Sequence, residues 1–202
     1  MKPQLQSSFS KLPDHKFIKT NSLVAITIYF IISSIFLTYG IITSSTSFLL
    51  SVSVVFTGIF FFTFIEYIFH RFVYHSGKDY MDEKNWQFKV HGIHHAFPKN
   101  KNILALPLIL AFVILSIFYS LFYLTLGNLA NFFFPGFLSA YALYLYIHYR
   151  IHTSMAPKNV FRYLWVHHHK HHHISQNKAF GLTSPFWDMI FNTMPPKSQR
   201  TN

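Results

Sequence analysis

The sequence contains no cysteine, which excludes a disulfide framework, a zinc ribbon, a thiolate-held iron–sulfur cluster and a cysteine nucleophile. The redox character of its compartment is therefore unreadable. Charge is scarce as well: 11% of residues are Asp, Glu, Lys or Arg, against about 25% in an ordinary soluble domain. Only six of these are acidic, so a hydrolytic two-metal site with bridging carboxylates is poorly supplied. Low charge accompanies 51% hydrophobic residues, a composition far too apolar for disorder. What remains is 202 residues, the length of one domain, rich in Phe (25) and Tyr (12) and carrying 14 His.

Four apolar runs organise the chain: Leu23 to Ile42, Phe48 to Phe69, Ile103 to Leu126 and Leu129 to Ile147. Crossing about 30 Å of hydrocarbon takes roughly 20 helical residues, so each run is long enough. Short polar breaks at residues 43–47 and at Gly127-Asn128 join the runs in pairs. The expected fold is all-α and integral to a membrane, with four transmembrane helices in two hairpins. A cap of short helices follows on the cytoplasmic side. Residues 1–20 read as a cytoplasmic N-terminal segment and residues 21–202 as a single membrane domain.

All 17 Lys and Arg fall in the N-terminal segment, in residues 71–101 and in residues 150–200, and neither short turn carries one. By the positive-inside rule both termini are cytoplasmic. That places the chain in the inner membrane of a bacterium or the endoplasmic reticulum of a eukaryote. The basic balance is then a topology signal and a headgroup-facing surface; nucleic acid is not an expected partner, since no reader motif accompanies it.

Histidine carries the chemistry. Apart from His15, all lie between His70 and His173, in four groups: His70/His75, His91/His94/His95, His148/His152, and the run His167 to His173 broken only by Lys170. Residues three and four apart share a helix face, so His148 and His152 can point at one centre, as can His91, His94 and His95 and a matching triplet in the fourth group. Ten imidazoles would fill two metal centres with about five nitrogens each. In the fourth group, spacing alone allows either His168/His171/His172 or His169/His172/His173. An all-imidazole pair beside a membrane suits iron and oxygen activation, whereas zinc fits the ligands but has no redox chemistry. A non-enzymatic membrane metal-binding protein or carrier is the alternative class. A carrier would need ionisable groups along a path through the bilayer, where only Glu66 is acidic.

The order H-x4-H, H-x2-H-H, H-x3-H, H-x2-H-H, over about residues 60–195, resembles the fatty acid hydroxylase superfamily of integral membrane di-metal oxygenases. The stretches Ile65 to His75, His91 to Pro98 and Phe180 to Asp188 are similar to elements of its sphingolipid fatty acid 2-hydroxylases. The chain departs from that branch at Asn100, Ile103 and Leu145.

The resemblance implies an O2-dependent di-iron hydroxylase of a lipid acyl chain. The alternatives within the superfamily are a carotenoid ring hydroxylase and a sterol desaturase or oxidase. It implies two metal ions, iron foremost with zinc able to replace it in purified protein, and O2 as co-substrate. The substrate is a lipid from the bilayer. Electrons are expected from a separate cytochrome b5-like protein, ferredoxin or reductase. In the 2-hydroxylases seven residues separate the last His pair from the following Phe-Gly. Counting back from Phe180-Gly181 selects His171-His172, hence His168, His171 and His172. The expected ligands are therefore His70, His75, His91, His94, His95, His148, His152, His168, His171 and His172. His167, His169 and His173 are spares, facing solvent or lying just outside the ligands. Glu66, one turn before His70, and Asp188 are expected to accept hydrogen bonds from ligand imidazoles. Tyr144, one turn before His148, is expected to face the substrate.

Overall fold

The fold was analysed in a computed structural model, which describes residues 19–77 and 80–196. The expectation for residues 1–20 and the stray His15 therefore lie outside the described residues, save Lys19 and Thr20. Among the described residues all regular structure is helical. It comprises α1 (Ser22–Thr43), α2 (Phe48–Ile68), α3 (Ile93–Ala96), α4 (Leu108–Leu126), α5 (Ala130–Thr153), α6 (Arg162–His173) and α7 (Phe186–Ile190). π-helical turns at Phe69–Tyr74 and Phe88–Gly92 extend α2 and precede α3.

Three helical stretches are long and apolar enough to cross a membrane: Ser22–Thr43, Phe48–Tyr74 and Leu108–Thr153. The expected break after α4 is a 3₁₀ turn at Gly127–Leu129. Gly127 takes φ +55 there, in the region where an L side chain is strained. Beyond it the chain folds back. Phe118 and Phe137 would stand about 28 Å apart on one straight helix, yet their ring centroids are 5.1 Å apart. Phe122 and Phe133 meet at 4.7 Å.

The described residues form two compact units: 19–65 with 100–149, and 66–77 and 80–99 with 150–196. The first is the apolar unit. Its core is aromatic, built on Tyr29, Phe62, Phe133, Phe134 and Phe137. Helices approach closely where small residues permit it. A Cβ on Gly136 would stand 2.1 Å from the Val55 carbonyl oxygen, and one on Gly58 would stand 2.2 Å from that of Phe133. Ser33 is a buried polar group with a partner. The Ser33 hydroxyl donates to the Pro135 carbonyl at 2.9 Å, as a bilayer interior demands. Outward residues such as Ile42 (76% exposed), Phe48 (84%) and Leu124 (81%) would cost free energy in water but not in lipid.

The second unit contains the polar chemistry. Its α6 presents His167, His168, His171 and His172 inward and leaves Arg162, Val166, His169 and His173 exposed. Those positions are the two opposite faces of one amphipathic helix.

Candidate metal centre

The histidines of the second unit assemble into two groups of ring nitrogens. In the first, Nε2 of His75 lies 3.1 Å from that of His91, His91 lies 3.0 Å from His95, and His95 lies 3.2 Å from His171. His70 completes it, its ring 4.4 Å from that of His171. In the second, Nε2 of His94 lies 3.1 Å from that of His172, His172 lies 3.0 Å from His168, and His168 lies 2.9 Å from His152. His148 belongs to the apolar unit. It is buried on α5 one turn before His152, with Nδ1 3.3 Å from the Leu104 carbonyl.

The local backbone explains how the spacing works. On an α-helix, residues five apart point about 140° away from each other, so His70 and His75 would diverge. The π turn closes i to i+5, with His75 N–H donating to His70 O at 3.2 Å. The rings then meet at 5.0 Å. The H-x2-H-H triplets behave differently from the expectation that each serves one centre. His91 and His95 join the first group while His94 joins the second; His168 and His172 join the second while His171 joins the first. Adjacent helical side chains diverge by about 100°. The neighbours His94/His95 and His171/His172 are thus aimed at separate points.

Hydrogen bonds fix which nitrogen faces inward. A carbonyl oxygen can only accept, so Nδ1 of His70 donates to Phe180 O at 2.6 Å and Nδ1 of His171 donates to Lys178 O at 2.7 Å. Each Nε2 is left with a lone pair. Nε2 of His70 is buried without a hydrogen-bond partner. Burial, and then the neighbouring imidazoles, push His91, His95 and His171 far below the usual histidine range and His75 down to about 2. These rings are neutral at pH 7, the form that binds metal. Two nitrogens about 2.1 Å from one ion and at right angles stand about 3.0 Å apart. The observed separations of 2.9–3.2 Å match. Each ring N–H could satisfy only one such neighbour, whereas a shared cation satisfies all of them. The residues fit a pair of metal ions.

Two expectations are corrected. Glu66 touches no imidazole: its Oε1 accepts from Leu182 N–H at 2.6 Å and Thr183 N–H at 3.1 Å, and its Oε2 from the Thr183 hydroxyl. Asp188 meets an imidazole, but that of His167 (3.0 Å), outside both groups. Its other partners are the N–H groups of Phe180 (2.9 Å) and Gly181 (2.8 Å) and the Thr193 hydroxyl (2.7 Å). Burial alone would raise the Asp188 pKa, but these bonds outweigh it and hold the carboxyl below its ordinary range. Four successive N–H groups need acceptors in this turn, and the two carboxylates are the buried acceptors at hand. Tyr144 is half-buried with its ring stacked 5.7 Å from that of His148.

Sequence reading missed Tyr74, stacked on His91 at 5.0 Å, and Tyr80, whose ring lies 4.5 Å from His75 and whose hydroxyl donates to Gln176. It also missed the carbonyls of Leu104, Lys178 and Phe180, which carry no side-chain signature.

Comparison with known proteins bears on the same residues. A family model described as fatty acid hydroxylase matches residues 55–193. A fatty acid 2-hydroxylase of Mus musculus is 34% identical over 146 residues, covering 69% of this chain and 39% of that protein. A dihydroceramide fatty acyl 2-hydroxylase of Arabidopsis thaliana is 32% identical over 145 residues, covering 71% and 61%. The chain thus spans 39% and 61% of the length of these two relatives. A solved structure of full-length scs7p, in which only the hydroxylase domain is visible, superposes with a TM-score of 0.79. It is 28% identical, covering 91% of this chain and 71% of that one.

Proposed function

The chain belongs to the fatty acid hydroxylase family, and from that premise we propose that it hydroxylates a lipid acyl chain with O2. The observation that carries this reading is the convergence of largely buried ring nitrogens into two groups on a chain with membrane-length apolar helices. The relatives' names, fatty acid 2-hydroxylase and dihydroceramide fatty acyl 2-hydroxylase, favour an acyl chain over a sterol or carotenoid.

His70, His75, His91, His95 and His171 would hold one metal, and His94, His152, His168 and His172 the other. Bound iron would supply the redox chemistry with O2 that an unactivated C–H bond requires. Zinc could occupy the same nitrogens but not that role. The chain's own part is to keep His75, His91, His95 and His171 neutral by burial, to turn His70 and His171 inward through their Nδ1–H groups, and to bring one methylene to the centre. Proximity selects that carbon, because a saturated chain offers no electronic guide. Tyr144 lies against His148 and is proposed to line the approach of the acyl chain.

Hydroxylation consumes R–H, O2, two electrons and two protons and yields R–OH and water. A cytochrome b5-like protein, ferredoxin or reductase is the proposed donor. The 46 residues of Leu108–Thr153 would span about 69 Å as a straight helix. Folded back at Gly127 they are proposed to cross twice, giving four crossings with both termini in the cytoplasm.

The test compares lipid extracts from cells with and without the protein by mass, under isotopically heavy O2. An acyl chain carrying one heavy oxygen is expected. Unchanged acyl chains beside a hydroxylated sterol or carotenoid would move the substrate class.

A further inference from the structure

Four consecutive backbone N–H groups, those of Phe180, Gly181, Leu182 and Thr183, all end on just two buried carboxylates. The first two donate to Asp188 and the next two to Glu66. The carboxylates come from distant places, Glu66 on α2 and Asp188 on α7, and are 7% and 0% exposed. The carbonyls on the other side of this strip face the metal-binding rings. Phe180 O accepts from His70 Nδ1 and Lys178 O from His171 Nδ1.

One peptide unit joins the two sets of bonds. The Phe180–Gly181 peptide accepts from His70 through its oxygen and donates to Asp188 through its nitrogen, at 2.6 and 2.8 Å. Hydrogen bonds in series polarise one another, so the carboxylate strengthens the carbonyl that orients the imidazole. Carboxylate–histidine–metal arrangements use a direct bond for this purpose; here a peptide group stands between. The clamp is itself braced, because Arg71 donates to the Tyr67 hydroxyl, which bonds Thr193, which donates to Asp188. Ala179 is held at φ +60 at the start of the strip. Its N–H donates to the Thr193 carbonyl at 2.8 Å.

Resting on the metal-binding reading above, we infer that Glu66 and Asp188 are positioning residues for one metal and not the other. They hold the 178–183 strip so that its carbonyls aim His70 and His171, both of which belong to the first group. The two ring bonds that the strip's carbonyls accept, at Phe180 O and Lys178 O, both come from that group. Loss of the clamp therefore empties the first group selectively.

The test counts metal per chain in detergent-purified protein, with helix content followed by circular dichroism. The wild type should hold two. E66A and D188N should each hold one, with helix content unchanged. E66Q, which can still accept from Leu182 and donate to Thr183, should hold two, making geometry rather than charge the decisive property. Combining variants locates the loss. E66A with H168A, a second-group histidine, should hold none, whereas E66A with H95A, from the same group, should still hold one. The milder T183V removes a single bond to Glu66 and keeps the strip assayable where E66A does not fold; it should weaken one metal site by about tenfold and leave the other unchanged. Retention of both metals in folded E66A and D188N overturns the inference, as does loss of both or an equal effect of T183V on the two sites. A wild type that binds no metal overturns the metal reading itself, a separate outcome.

Discussion

Nε2 of His152 and Nε2 of His168 stand 2.9 Å apart, which ties the end of α5 to the inner face of α6. The register of α6 follows from that contact. His168, His171 and His172 are turned inward, while His169 and His173 are exposed with their rings 4.3 Å apart. Replacing an inward imidazole removes a donor that no other group is placed to supply. H168A and H171A are expected to lower lipid hydroxylation by at least about 100-fold, and H169A and H173A to leave most of it. Turnover measured on the four variants checks this; the reverse pattern would move the site by one residue.

Metal-free protein should be acid-sensitive. His75, His91, His95 and His171 are held below the ordinary histidine range by burial and then by one another, His75 at about 2. In the unfolded chain each takes up a proton near pH 6.5, while the folded chain does not. Their contribution to stability is therefore complete above that pH and lost as pH falls toward 2. Each can remove up to about 1.4 kcal/mol per pH unit. Thermal midpoints of the metal-free protein should fall between about pH 7.5 and about pH 5.5, and a flat profile would mean that the rings are hydrated.

Helix packing in the apolar unit depends on two glycines. A methyl group on Gly136 or Gly58 would overlap the Val55 or Phe133 carbonyl, and backbone cannot swing aside as a side chain can. G136A and G58A are each expected to cost about 1–3 kcal/mol, read as a lower thermal midpoint. An alanine at Gly77, where a Cβ would meet nothing within 4 Å, serves as the uncrowded control, with only the strain of its φ of +85.

Topology is open to direct test. Reporters at the two termini should both register in the cytoplasm, and a cysteine introduced in residues 44–47 should react with an impermeant reagent only from the opposite side. Labelling of that turn from the cytoplasm would reverse the proposed orientation.

The sequence by itself determined the helices and the number of histidines. Runs of some twenty apolar residues have few folded options besides membrane-length helices, and α1, α2, α4 and α5 lie close to those runs. It did not determine which histidines share a group. H-x2-H-H reads as one face, but the 100° between His94 and His95 sends them to different groups. H-x4-H reads as no face at all until a π turn closes it, and the choice between α and π closure depends on what the side chains meet. Glu66 and Asp188 stood out as hydrogen-bond acceptors, yet their partners did not, since backbone N–H and carbonyl groups are the same at every position. Only tertiary structure decides which peptide groups reach a carboxylate or an imidazole, because that depends on where distant segments of chain come to lie.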